Sequence, residues 1–256
     1  MKYLKTEAII LDTADVFEAD RSLLLFTREL GKLRARARGV RKPTSRLTGH
    51  LLQYIPTELE LHGSDNGSWT VTGAQVLSRY VELGSYPDNA LLFSQQAAIL
   101  VEAISKLYND QEAHPSVYGG LAYTLDRLRA LCEGTGDAPR ARLVAAEFIM
   151  KALSELGYEA QLKVCVLTGQ PVSPDFIGWS SQLGGVLSEE GFKQSAGTGR
   201  RVQDARAIVL LRQFLRPEFT AERVAVTPEA GNEAMKLVYD YVQTQIGQPL
   251  RSLQGQ

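Results

Sequence analysis

The sequence predicts an α+β protein of several modules. A small β-barrel comes first, then a helical domain interrupted by an irregular insert. Three observations carry this. Apolar residues recur at every second position through much of the first 80 residues. From Asp88 the spacing becomes helical. Residues 158–200 lose both periods and hold nine glycines and prolines, after which helical spacing resumes near Val202.

The strands come in order. Ala8 to Leu11 is a short apolar run for a first strand, Ser22 to Thr27 for a second and Leu33 to Val40 for a third. Ile55, Thr57, Leu59 and Leu61 alternate with Pro56, Glu58, Glu60 and His62, which makes a fourth. His62 to Ser68 is dense in turn formers and predicts a hairpin loop, so Trp69 to Leu77 returns as a fifth. Five short strands in this length suit a small closed or nearly closed barrel. The OB-fold is the commonest such barrel with nucleic-acid duties.

The helices follow. Ala90 to Tyr108 is long and mostly apolar. Pro115 suits the first turn of a second helix, running to about Leu131. Glu133 to Asp137 is a Gly-rich break. A third helix starts near Pro139 and ends at Gly157, a natural C-terminal stop. Beyond the insert, Val202 to Leu215 and Thr227 to Ile246 are helical. The predicted domains are therefore 1–80 for the barrel, 81–157 with 201–256 for one helical domain, and 158–200 for the insert.

Composition narrows the function. The chain has 256 residues, 44% hydrophobic and 22% charged, with a net charge of -1, ordinary for a globular protein. No apolar run approaches membrane-spanning length. Glu7 and Asp12 flank the first apolar run too closely for a signal peptide. Cys132 and Cys165 make no disulfide framework. A cytoplasmic protein is expected. No Walker-type phosphate loop, complete dinucleotide fingerprint or nucleophile elbow is present. His50, His62 and His114 form no metal-binding pair at helical spacing. No nucleophile, base and orienter come together, so a non-enzymatic protein without a cofactor is expected.

One segment stands out against this background. Arg28 to Arg46 holds eight basic residues and one acid, Glu29. Lys32, Arg34, Arg36 and Arg38 fall on alternate positions, with Leu33, Ala35 and Ala37 between them. In a strand this makes one face cationic and turns the other inward. Arg41, Lys42 and Arg46 extend the patch into the following loop. A local cationic face on an otherwise acidic chain is a footprint for a polyanion, and nucleic acid is the expected one. Lys32, Arg34, Arg36, Arg38, Arg41, Lys42 and Arg46 are the predicted DNA-binding residues. Tyr54 or Trp69 are candidates to stack on bases. The alternative is a protein-interaction scaffold whose basic face meets an acidic partner.

The insert carries a knuckle, Cys165 to Pro171, and a turn, Gly184 to Gly191. A zinc-binding knuckle pair would place four cysteines here. Only Cys165 is present; Thr168, Ser188 and Gly191 stand at the other three positions. A metal-free hairpin pair held by Phe176, Trp179 and Leu187 is expected.

The chain resembles the bacterial RecO family of recombination mediators. The resemblance is carried by TEAIIL from Thr6 to Leu11 and by FEADRSLLLFTRELGKLRARARGVRKPTSRLTGHLLQY from Phe17 to Tyr54. It continues through FIMKALSELGY from Phe148 to Tyr158, the Cys165 knuckle and the Gly184-Gly185 turn. It implies an N-terminal OB-fold, a helical domain and an inserted zinc-finger-like segment of treble-clef type. Many members carry four zinc cysteines; this chain keeps one. The resemblance further implies binding to single- and double-stranded DNA, annealing of complementary strands, and cooperation with RecR. Such proteins load the RecA recombinase onto DNA coated by single-strand-binding protein, in the bacterial cytoplasm at the nucleoid. It also suggests that the helical domain docks the acidic C-terminal tail of single-strand-binding protein. Such a tail needs an apolar pocket rimmed by cations. Arg140, Arg142, Leu143, Phe148 and Lys151 on the third helix are the candidates.

Overall fold

The structure is a computed structural model and describes residues 2–64, 67–77, 80 and 86–254. Residues 65–66 of the predicted hairpin loop, and residues 81–85 just past the predicted barrel boundary, lie outside the described residues. The chain forms two compact units, Met1–Gly136 and Asp137–Gln256. The compact units therefore divide later than the expected barrel boundary at residue 80. The first two long helices belong to the unit that holds the strands, not with the helices that follow the insert.

The first unit is built on five strands: β1 (Lys2–Val16), β2 (Asp20–Thr27), β3 (Gly31–Ala37), β4 (Thr57–Gly63) and β5 (Trp69–Val76). They close on themselves in the order β1-β2-β3-β5-β4, and β4 returns to pair with β1. Neighbours are antiparallel except β3 and β5, which run parallel through Ala35 opposite Trp69. β1 is much longer than the expected Ala8 to Leu11 because it serves two partners. Lys2 to Ala8 pair with β4, and Ala8 to Val16 pair with β2. A register shift between Ile10 and Asp12 bends the strand between these two duties. Leu23, Leu25, Leu33, Ala35 and Leu59 share the inner core. β3 ends at Ala37 rather than Val40, because Gly39 at φ +65° turns the chain.

Two helices complete this unit, α1 (Ala90–Leu107) and α2 (Pro115–Leu131). Asn89 caps α1 by accepting from the Leu92 amide. Phe26, on the outer side of β2, is buried between Tyr108 and Tyr118 at the ends of the α1–α2 connection. By length and composition α1 is apolar enough to cross a membrane, which the sequence-based expectation missed; half of it is buried within the fold.

The second unit contains α3 (Ala138–Glu155), the insert, α5 (Arg206–Phe214) and α6 (Pro228–Ile246). Asp137 and Thr227 cap α3 and α6. Gly157 stops the chain after α3 at φ +81°, as expected. α5 starts later than Val202, where the Asp204 carboxylate accepts from the Arg206 amide. The insert forms a small sheet of order β7-β6-β8, from β6 (Gly178–Ser180), β7 (Gly185–Leu187) and β8 (Arg200–Arg201), with a short helix α4 (Glu189–Gln194) between the last two. Trp179 and Leu187 are fully buried, and Phe176 meets Phe192 edge-on. The insert is tied to the helices by polar links. Trp179 Nε1 donates to Ser181 Oγ at 2.8 Å, and Ser181 donates to Asp240 at 2.5 Å. Arg200 pairs with the buried Glu233 at 3.0 Å.

Candidate nucleic-acid interface

β3 keeps the alternation of its sequence. Leu33, Ala35 and Ala37 are buried, while Lys32, Arg34 and Arg36 point away from the barrel core. The outward face is not uniform along its length, however. At its start it is covered by the connection between α1 and α2. Lys32 Nζ donates to the Ser105 carbonyl at 2.6 Å and pairs with Asp110 at 3.2 Å, and its side chain is only 13% exposed. The Gln111 amide donates to the Lys32 carbonyl at 2.7 Å. Its pairing and low exposure argue against the expected role of Lys32 as a DNA contact: an ammonium already paired and desolvated has little counterion to release to a phosphate.

Past Lys32 the face opens. Arg34 is exposed and forms no ion pair among the described residues. Arg36 is half exposed, but its Nε and NH2 both donate to Asp20 Oδ2, at 2.7 and 2.6 Å. Asp20 Oδ1 accepts from the Gly39 amide at 2.7 Å. That amide first, and the Arg36 guanidinium second, hold the Asp20 carboxyl below the usual carboxylate range. Arg36 is thus largely neutralised in place, which weakens its expected role at a phosphate.

The loop after β3 is stitched to the β1–β2 turn. The Arg41 amide donates to the Ala19 carbonyl at 2.9 Å. Arg41 and Arg21 both reach Asp15, at 3.5 and 3.0 Å. Arg38, Lys42 and Arg46 are exposed and make no ion pair among the described residues. The structure therefore leaves Arg34, Arg38, Lys42 and Arg46 as exposed cations on β3 and the loop after it, with Arg41 exposed among them and paired to Asp15. Several cations in one strip can neutralise successive phosphates, and affinity then rises with the number of counterions released.

The expected stacking residues are engaged in packing. Trp69 lies against the inner core, its ring over Gly63. Tyr54 meets Phe93 edge-on, and burial pushes its phenol up. The exposed aromatic beside the strip is Phe17, in the β1–β2 turn, with the Arg36 guanidinium 4.5 Å from its ring centre. Sequence reasoning passed over it. The available signal was an aromatic placed among Glu18, Ala19 and Asp20 in a turn, where no buried face asks for one.

In the insert, Cys165, Thr168, Ser188 and Gly191 do converge. The Thr168 amide donates to Cys165 Sγ at 3.5 Å, the Thr168 and Ser188 hydroxyls lie 3.3 Å apart, and the Gly191 amide donates to Ser188 Oγ at 3.1 Å. A Cβ on Gly191 would stand 2.4 Å from the Cys165 sulfur. One sulfur, two hydroxyls and a glycine packed this closely do not fit the four nitrogen or sulfur ligands of a structural zinc. Burial pushes the Cys165 thiol up, but hydrogen bonds from Ser188 and Thr168 outweigh it and bring it down to about 6. No group of three or more metal-ligating side chains occurs among the described residues.

The third-helix candidates separate. Arg140 and Leu143 line a groove of about 520 Å³ with Pro139 and Val224–Thr227, and Arg140 pairs with Asp137 at 3.2 Å. Phe148 is buried core. Lys151 pairs with the buried Glu147 at 2.6 Å and donates to the Phe219 carbonyl. Arg142 lies beside the half-buried Tyr239, outside the lining of that groove, with its Nε buried and without a hydrogen-bond partner among the described residues. The structure thus brings only Arg140 and Leu143 of the five together at one opening.

Comparison with known proteins bears on the whole chain. Residues 1–80 match the family Recombination protein O N terminal, and residues 96–254 match Recombination protein O C terminal. DNA repair protein RecO of Cutibacterium acnes is 31% identical over 255 residues, covering 99% of this chain and 98% of that protein. The protein of that name from Frankia casuarinae is also 31% identical, with the same coverage. The one from Caldanaerobacter subterraneus is 23% identical over 253 residues, covering 98% of this chain and 96% of its own. Matched at both ends, and aligned with such relatives over nearly its full length, this chain belongs to the RecO family of DNA repair and recombination proteins.

Proposed function

We propose that the chain is a non-enzymatic recombination mediator that binds single- and double-stranded DNA and anneals complementary strands. The observation that carries this is the solvent-facing strip of Arg34, Arg38, Arg41, Lys42 and Arg46 on a chain of net charge -1. The closed five-stranded sheet supports reading the first unit as an OB-fold, in which the second and third strands and the first loop face nucleic acid. The strip lies on β3 and on the loop stitched to the β1–β2 turn. Cations at fixed spacing hold phosphates without reading bases, so one strand is bound in many sequence contexts. Two strands so neutralised repel each other less, which favours pairing.

Family membership supports the wider role: action with RecR to place RecA on DNA coated by single-strand-binding protein, in the bacterial cytoplasm. The groove at Arg140 and Leu143 is the place proposed for the acidic tail of single-strand-binding protein, its apolar end against Val224–Thr227. The insert is proposed to fold without zinc, on the grounds of its converged Cys165, Thr168, Ser188 and Gly191.

Annealing of complementary oligonucleotides, with and without the protein and across a salt series, tests the main proposal. Arg34→Ala with Lys42→Ala is expected to slow annealing and to reduce the salt slope by about one per lost contact. An unchanged slope in a folded variant refutes the strip. Salt-insensitive binding that discriminates among acidic proteins would instead mark a protein interface. For the groove, an acidic tail peptide should bind the wild type and lose affinity in Arg140→Ala; equal binding moves the site elsewhere.

A further inference from the structure

We propose that Phe17 is a stacking platform for one base of single-stranded DNA, and that Arg36 is the residue that positions it. This rests on the strip beside it being a DNA surface, and it adds a single-strand-selective contact that phosphate binding alone does not supply.

Two independent observations meet at Phe17. The first is its backbone, at φ +58°, a left-handed conformation that a bulky residue rarely adopts. The second is its exposure: 72% of the residue faces solvent, so no burial offsets the strain. Strain of this kind persists only where the surroundings over-determine it. Here they do. Asp20 binds the Gly39 amide through one oxygen and Arg36 through the other, and the Arg41 amide holds Ala19. The turn therefore presents the ring in one place.

Arg36 completes the arrangement. Its guanidinium carbon lies 4.5 Å from the ring centre, within the range of a cation–π contact. Because Asp20 fixes that guanidinium, it covers one face of the ring and keeps it from folding down. The remaining surface is open, in a turn whose Ala19 carbonyl accepts from the amide of Arg41, at the start of the exposed Arg41–Lys42 pair. An aromatic face flanked by cations is what an unpaired nucleotide needs: phosphates meet the charges and the base meets the ring. Bases in a duplex are already stacked on each other and have no free face to offer. The ring thus favours single strands, whatever their sequence.

The test uses the full chain with an oligothymidylate and a duplex of equal length. Phe17→Ala is expected to weaken oligothymidylate binding roughly 5- to 150-fold, the range for loss of one stacked base. Duplex affinity should change by less than about twofold, and the salt slope should stay as it is, since a ring releases no counterion. Phe17→Trp should retain binding. Phe17→Gly, which suits the backbone, removes the ring without disturbing the turn and should behave like Phe17→Ala. Arg36→Ala should weaken binding in the wild type but add little to Phe17→Ala. Equal losses for single strand and duplex, or no loss in a folded variant, overturn the stacking role. A slope reduced by about one in Arg36→Ala makes Arg36 a phosphate contact and overturns its positioning role. Failure of the strip itself reads out separately, as an unchanged slope in Arg34→Ala with Lys42→Ala.

Discussion

The ammonium of Lys32 is held between the Asp110 carboxylate, at 3.2 Å, and the Ser105 carbonyl, at 2.6 Å. A residue placed by its own strand on the cationic face is thus enclosed by the connection between two helices more than 70 positions away. Arg34, two residues on, is exposed. Lys32→Ala should therefore cost stability and leave the salt slope of DNA binding unchanged. The loss expected is about 1–3 kcal/mol, since a shielded carbonyl and carboxylate lose their partner. Urea denaturation and a salt titration on the same variant check both halves.

Gly31 makes the same contact from the backbone side. It sits at φ +64°, and a Cβ there would stand 1.8 Å from the Glu112 carbonyl oxygen. Gly31→Ala must push the 109–113 connection away from β3 while straining its own backbone. Destabilisation above about 1 kcal/mol is expected. Its melting temperature, compared with that of Gly49→Ala, where no atom lies within 4 Å of the added Cβ, is the control.

The Asp20 clasp has a pH signature. Its carboxyl is held below its ordinary value, chiefly by the Gly39 amide and then by Arg36. The unfolded chain takes up its proton near the ordinary value of about 3.9, and the folded chain does so only at lower pH. The stability that Asp20 contributes is complete above that range and is lost as pH falls through the lower native value. Wild type should exceed Asp20→Asn in stability near neutral pH. The gap should narrow as the pH drops below about 4, measured by chemical denaturation at each pH. A gap that widens in acid contradicts the clasp.

The insert offers a test by metal and by packing. Purified protein should hold no stoichiometric zinc, and a chelator should leave its melting temperature unmoved. One tightly held zinc per chain refutes a hydrogen-bonded knuckle. Gly191→Ala should destabilise the second unit by about 1–3 kcal/mol, because its methyl would overlap the Cys165 sulfur at 2.4 Å.

Much of the architecture was legible because it rests on local periods. The alternation of Leu33, Ala35 and Ala37 with Arg34 and Arg36 appears unchanged in the strand. Pro115, Gly157 and Pro228 mark helix ends where expected. That Phe148 is buried and Lys151 engaged was not legible because burial depends on the neighbour: Lys151 meets Glu147 and the Phe219 carbonyl, and no spacing within the helix reveals the second. The length of β1 was missed because only a closed sheet gives one strand two different partners.

By itself, then, the sequence determined that β3 would carry cations on one face and apolar residues on the other, since that follows from the two-residue period of a strand. It also determined family membership and the convergence of the Cys165 and Gly191 turns. Only the tertiary structure decided which cations remain available. The α1–α2 connection covers Lys32, Asp20 neutralises Arg36, and Arg34, Arg38, Lys42 and Arg46 stay in solvent. It decided likewise that Phe17 stands exposed at a left-handed turn under Arg36. The physical reason is one of range. A side chain's direction is set by its own backbone, but its solvation and ion pairing are set by segments that reach it only through folding.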